Sequence, residues 1–249
     1  MRAILTYHSI DTSGSPISCH PDVFAHQVKW FASSRVRVTT VDELTRLPAT
    51  TDAVALTFDD GFVNFRDVAV PRLLDHGFPV TLFVVAGLAG RTNSWDDGPH
   101  RATPSLPLLD WSALARLQEQ GVTLGAHSQT HRRVTRLPAA AVEDEVRGCA
   151  DRIEAEVGVR PSVFAYPYGH WDAQSAAMVA RTYRWGCTTD FRLLAPTDEP
   201  STLPRLDMWY FNQPGSLDGW GTRAFASKVG LRHVLRQTRH MAMSLRGVR

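Results

Sequence analysis

Ala53-Val54-Ala55-Leu56-Thr57-Phe58-Asp59-Asp60-Gly61 is the stretch that decides the fold: an apolar run that leaves a sheet through two carboxylates and a glycine. The same kind of run recurs at residues 3–7, 80–85, 122–126 and 163–166. Between these strands lie segments with apolar residues at three- and four-residue steps, at 24–31, 65–76, 111–120, 139–157 and 172–183, which predict helices. Gly77, Gly121 and Gly158 each follow a helical pattern and precede a strand, where a left-handed C-terminal cap is expected. Strands alternating with helices make βα units and a parallel sheet, so the chain is α/β, either a barrel or a doubly wound sheet.

The 249 residues suit one such domain, and 43% hydrophobic with 21% charged residues excludes disordered and fibrous classes. A formal charge of +2 carries no phosphate footprint, so no nucleic-acid partner is expected. Cys19, Cys149 and Cys187 are odd in number and lack a CxxC pair, which excludes a disulfide framework and a thiolate zinc site and reads as buried or free thiols in a reducing compartment. The start, Met1-Arg2-Ala3-Ile4-Leu5-Thr6-Tyr7-His8, has neither the apolar stretch nor the cleavage site of a signal peptide, so a cytoplasmic location is expected. No apolar run reaches the ~18 residues of a membrane span.

Three strand ends carry chemistry. Asp59 and Asp60 stand where barrel enzymes place catalytic groups, and adjacent carboxylates repel unless a cation or a shared proton intervenes; Asp-Asp-Gly is also an ordinary turn. In His127-Ser128-Gln129-Thr130-His131 the histidines lie at i and i+4, on one face of a helical turn, where they can bind one cation together or be plain surface residues. With an aspartate they make a two-histidine, one-carboxylate set with coordination positions left open for water and substrate. Phe164-Ala165-Tyr166-Pro167-Tyr168-Gly169 is a strand ending in a stiffened turn that can aim a peptide N–H at an oxyanion, although such turns are common.

The order TFDDG, HSQTH and FAYPYG resembles the polysaccharide deacetylase superfamily, carbohydrate esterase family 4, over roughly residues 1–210. The resemblance implies a distorted (β/α)7 barrel, Asp60, His127 and His131 as metal ligands, Asp59 as the base that activates the attacking water, and the backbone N–H of Tyr168 as an oxyanion contact. It implies a divalent metal, zinc by default, with cobalt, nickel or manganese suited to the same donors. Two positions depart from the pattern: many relatives have an arginine where this chain has Ala165, and Leu203-Pro204-Arg205-Leu206-Asp207 lacks the general-acid histidine. His8, ending the first strand, resembles the branch that deacetylates poly-N-acetylglucosamine and is the expected acid, a structural histidine being the alternative. Arg205 is the candidate for orienting Asp59, a surface salt bridge being the alternative.

Residues 91–107 form an irregular insertion containing Trp95, Asp96 and Asp97; of the aromatic residues Trp95, Trp111, Trp185 and Tyr168, Trp95 is the candidate sugar platform besides Tyr168. After Asp218 no acidic residue occurs. A helix through residues 211–249, beyond a barrel of residues 1–210, would place Lys228, Arg232, Arg236, Arg239 and Arg246 on one face and Leu231, Val234, Met241 and Leu245 on the other. Such an extension either docks on the barrel or contacts anionic lipid at the inner face of a membrane. The expected activity is removal of an N-acetyl group from an amino sugar, free or lipid-linked. O-deacetylation and an inactive carbohydrate-binding barrel are the rival readings, and the latter has no use for Asp59.

Overall fold

A computed structural model of the chain describes residues 1–33, 35–95 and 103–245, with the backbone alone for 239–245. The strands are β1 (Arg2–Tyr7), β2 (Ser9–Ile10), β3 (Ser18–Cys19), β4 (Arg37–Thr39), β5 (Ala53–Phe58), β6 (Val80–Val84), β7 (Thr123–Ala126), β8 (Val163–Ala165), β9 (Trp185–Cys187) and β10 (Arg205–Asp207). One parallel sheet runs β10-β1-β5-β6-β7-β8-β9, and a parallel bridge from Cys187 to Leu203, just ahead of β10, brings its two edges together. β4 pairs with residues 53–55 of β5 while β6 pairs with 56–58, so the two share one edge of that strand. Helices surround this nearly closed barrel, as expected of a distorted (β/α)7 fold.

Strand residues alternate between two cores, as the period of two requires. Ala3, Leu5, Tyr7, Val54, Leu56, Phe58, Leu82 and Val84 point outward and bury the apolar faces of the helices. Ile4, Ala53, Ala55, Phe83, Val163, Ala165 and Cys187 point into the lumen. The floor is closed by Val41 and Leu44 of the helix Val41–Arg46, whose end Arg2 caps by donating to the carbonyls of Leu44, Thr45 and Leu47. Ala53, Ala55 and Ala165 are small, and that leaves room in the lumen for a long polar side chain.

The helical patterns at 111–120 and 172–183 become Trp111–Glu119 and Ala173–Thr182. The pattern at 139–157 spans the expected residues but contains a π segment, Asp144–Gly148, and the one at 65–76 opens with another, Phe65–Ala69. Gly77, Gly121 and Gly158 all have positive φ, as their capping role demands. The insertion at 91–107 has an ordered neck: Thr92 bridges Pro107, and the Asn93 amide donates to Pro104 O and accepts from Leu106 N–H. Asp96 and Asp97 lie outside the described residues.

The C-terminal helix, Arg223–Leu245, docks on the barrel, but with the face opposite to the one its apolar stripe suggests. Phe225 and Val229 join the outer core; Arg232 lies over the Tyr210 ring at 4.5 Å, and Arg236 over Tyr210 and Phe191. Guanidinium groups on aromatic faces make the basic stripe an adhesive one. Leu231 and Val234 are left 64% and 54% exposed.

Barrel closure depends on Gly186 of β9, since a Cβ there would stand 2.2 Å from the carbonyl oxygen of Ser201. Gly186→Ala should therefore lower stability by about 1–3 kcal/mol, as overpacking does. Urea unfolding checks this, and an unchanged midpoint would show that the closing segment yields freely.

Candidate metal centre

The C-terminal ends of the strands meet at one rim, as in other barrels. β1 delivers His8, β5 delivers Asp59 and Asp60, β7 runs into His127 and His131, and β8 into the turn Pro167–Gly169. Among the described residues other than glycine, four have left-handed backbone, namely Asp60 (φ 74°), Ser128 (65°), His131 (62°) and Tyr168 (58°), and all four stand at this rim. Such conformations persist only where the surroundings enforce them.

The segment 127–131 is a loop and not the helical turn that its spacing predicts. The carbonyls of Ser128 and Gln129 accept from Ala86 and Gly87, which removes them from helical pairing. Two left-handed residues then reverse the chain, and Ser128 Oγ accepts from His131 N–H at 2.9 Å. Buried Glu145, in the π segment, accepts from the N–H of Thr130 at 2.9 Å and from its hydroxyl. A helical turn and this clamped loop bring the same two rings together by different means.

The ligand atoms of Asp60, His127 and His131 lie within 4.8 Å of one another. Asp60 Oδ1 is 3.5 Å from His127 Nε2 and 3.4 Å from His131 Nε2. His127 Nδ1 is 2.8 Å from Ala165 O, which can only accept, so Nδ1 carries the proton and the Nε2 lone pair faces Asp60. Burial holds both imidazoles in the neutral, ligating form, His127 at about 4 and His131 well below its usual range. Burial pushes the Asp60 carboxyl up to about 7, with Asp59 adding repulsion and His8 opposing it. Asp60 Oδ1 is buried with no hydrogen-bond donor among the described residues. Acceptors converging on a point with no donor are what a cation satisfies, and two imidazoles with one carboxylate suit zinc and its divalent neighbours.

Asp59 is held differently. Arg205, 1% exposed, donates to both carboxylate oxygens, Nη1 to Oδ1 at 2.7 Å and Nη2 to Oδ2 at 2.8 Å. Its Nε donates to Thr188 O, and its guanidinium lies 5.5 Å from the Phe83 ring centre in the lumen. Burial alone would raise the Asp59 carboxyl, but the charge of Arg205, aided by His127 and His8, holds it well below the usual range. His8 Nε2 lies 3.7 Å from Asp59 Oδ2. Asp207, which the sequence did not single out, is a half-buried carboxyl raised by desolvation and pulled back by the charge of His8.

Trp95 stacks on His131, ring centres 4.1 Å apart, and the Tyr168 ring meets His131 edge-on at 4.7 Å. Trp111 packs beside Arg152, and Trp185 donates to Asp42 at the opposite end of the barrel. Glu145 and Asp207 had no sequence signal: one lies within a helical pattern, the other in a three-residue strand without an apolar run.

Residues 46–184 match the polysaccharide deacetylase family, and the chain belongs to it. The Bacillus subtilis protein YxkH is 23% identical over 194 residues, 75% of this chain and 64% of its own length; a Streptomyces coelicolor protein is 30% identical over 143 residues, 54% of this chain and 49% of its own. The chain thus spans less than two thirds of these curated relatives. Among solved structures, the Streptococcus pyogenes deacetylase PplD in complex with acetate superposes with a TM-score of 0.73 at 21% identity, covering 86% of this chain and 95% of that one. IcaB from Ammonifex degensii gives 0.72 at 20%, covering 90% and 96%. At these identities the two structures speak for the fold.

A cation needs Asp60 ionised. Below its pKa of about 7 the metal-free carboxyl holds a proton that binding must expel; above it the proton is already gone, while His127, at about 4, is neutral throughout. Zinc affinity should therefore rise between about pH 6 and pH 8, with about one proton released at the lower pH and little at the higher. Calorimetry in buffers of different ionisation enthalpy measures this, and a flat profile would remove Asp60 from the ligand set.

Proposed function

We propose that the chain is a metal-dependent hydrolase that removes an N-acetyl group from an amino-sugar glycan. The observation that carries this reading is the division of two adjacent carboxylates, Asp60 facing two neutral imidazoles and Asp59 locked to Arg205. Asp60, His127 and His131 would hold a divalent ion, zinc by default, which would polarise the acetyl carbonyl and acidify the attacking water. Asp59, ionised and fixed in orientation, accepts the proton of that water through lone pairs that Arg205 leaves open. A carboxyl of such low pKa gives the proton up readily, and His8, 3.7 Å away, is placed to deliver one to the departing nitrogen. The left-handed turn at Tyr168 supports its backbone N–H as the oxyanion contact, and the packing of Trp95 and Tyr168 on His131 supports them as sugar contacts.

Contact with an anionic membrane, and hence a lipid-linked substrate, draws support from the C-terminal helix. Leu231, Val234 and Leu235 are exposed on it, and the segment after Asp218 has only basic charges. No helix among the described residues is long and apolar enough to cross a membrane. The buried, unpaired thiols Cys19, Cys149 and Cys187 support a reducing, cytoplasmic setting.

Acetate release from N-acetyl and O-acetyl sugars, with and without metal, tests the reading. Asp59→Asn should keep its metal and lose about 10²–10⁴-fold in rate, whereas His131→Ala should lose metal and activity together. Near-normal turnover by the first variant, or full metal content in the second, would sink the corresponding assignment. His8→Ala should slow hydrolysis of an amide more than that of an activated aryl acetate, whose leaving group needs no proton; equal losses would return His8 to a structural role. Replacing Leu231 and Leu235 by Ser should abolish sedimentation with phosphatidylglycerol vesicles, and persistence of binding would exclude the apolar face as the contact.

A further inference from the structure

The loop 188–191, which follows β9, joins separate parts of the site. The Thr188 carbonyl accepts from Arg205 Nε–H at 2.9 Å, and the Asp190 carbonyl accepts from the Arg205 backbone N–H at 3.0 Å. Arg205 is thus gripped by this loop at its backbone and at its guanidinium before Nη1 and Nη2 reach Asp59. The same loop meets the turn after β8. The Thr189 hydroxyl donates to Tyr168 O at 3.4 Å, and a Cβ at Gly169, where φ is +73°, would stand 2.0 Å from that hydroxyl. A displacement of the loop is therefore passed to Asp59 through Arg205 and to the left-handed turn through Tyr168.

The loop is held from two sides. The barrel fixes Thr188, whose N–H and hydroxyl both donate to Leu203 O, and whose hydroxyl accepts from Asp190 N–H. Thr189 and Phe191 are held from outside the barrel, by Arg236 of the C-terminal helix. Its guanidinium donates to Thr189 O at 3.3 Å and lies over the ring centres of Phe191 at 5.6 Å and Tyr210 at 5.3 Å. Phe191 is itself buried and packs edge-on against Tyr210, 5.1 Å away. A planar cation can donate in its own plane while its face rests on aromatic rings, so one side chain fixes both residues of the loop.

We propose that Arg236 is a positioning residue: from a helix outside the barrel it fixes the loop 188–191, and through that loop the Arg205–Asp59 pair and the turn at Tyr168. The inference rests on the deacetylase reading above. It gives the inward docking of the basic stripe a consequence for catalysis, because the loop that orients the base is completed only when the helix is seated.

The test uses the full chain loaded with zinc and the N-acetylglucosamine tetramer as substrate. Arg236→Ala should lower kcat by about ten- to a hundredfold, the scale of a small misplacement of reacting groups, with KM and zinc content unchanged. Arg236→Lys, which keeps a donor but not the stacking face, should fall between the two. Val229→Ala, which weakens helix packing away from the loop, should lower the urea midpoint and leave kcat alone. A second measurement needs no turnover. The Arg205 Nε–H, identified in NMR spectra by its contact with the Phe83 ring, should exchange with solvent at least about tenfold faster in Arg236→Ala and at the wild-type rate in Val229→Ala. Unchanged kcat and unchanged exchange in Arg236→Ala overturn the proposal, as do equal effects in Val229→Ala, which would make helix packing in general the cause. If no substrate releases acetate, the deacetylase reading fails by itself, and the exchange of the Arg205 Nε–H alone decides whether Arg236 positions it.

Discussion

The ion pair between Asp59 and Arg205 is the constraint around which the rest of the site is arranged. Two buried charges cost several kcal/mol each in desolvation and are tolerated only where geometry returns it, and this pair is bidentate, with the guanidinium Nε–H given to Thr188 O. The lumen makes room for it. Ala53, Ala55 and Ala165 point inward, and a Cβ at Gly125 would stand 2.5 Å from the Phe83 ring, so small residues beside Phe83 leave the space that the Arg205 side chain crosses. Ala165 is inside this lumen, and the guanidinium that meets Asp59 comes from another strand.

With Asp59 neutralised by Arg205, Asp60 faces its own problem. It is equally buried, it adjoins a negative charge, and Arg205 spends its bidentate hydrogen bonds on Asp59. It is therefore either protonated or cation-bound, and the neutral imidazoles of His127 and His131 face the same oxygen. One ion pair thus separates two chemically identical side chains into a fixed anion and a candidate ligand, the general device by which carboxylate pairs divide labour.

Much of this was legible in the sequence, because the informative residues sit where strong periodic signals end. The strand at 53–58 has the observed bounds, the helix at 139–157 its observed span, and the parallel α/β class follows from their alternation. β9 and β10 were not legible as strands: Trp-Gly-Cys and Arg-Leu-Asp are three residues long, and Gly186 in the first and Arg205 and Asp207 in the second break any apolar run. The role of Arg205 was open for the same reason, since its partner is 146 residues away and only the barrel register brings them together. The histidine spacing was read correctly as proximity and incorrectly as a helix, because i,i+4 does not reveal carbonyls already committed to Ala86 and Gly87.

The four left-handed residues show how rigid the rim must be. Each costs on the order of 1–2 kcal/mol relative to ordinary backbone, and none is a glycine, the residue that would remove the cost. Asp60 and His131 carry candidate ligand side chains and the Tyr168 ring packs on His131, so glycine at these positions would remove those groups and the strain is held by surrounding contacts instead. Glu145 on Thr130 and Ser128 on His131 supply them around the histidines, and the contact of Gly169 with Thr189 supplies it around Tyr168. Glycine is used at Gly169 because the neighbouring wall leaves no space for a Cβ, whereas at Tyr168 the ring is needed against His131. The order of residues in that turn follows from packing on one side and chemistry on the other.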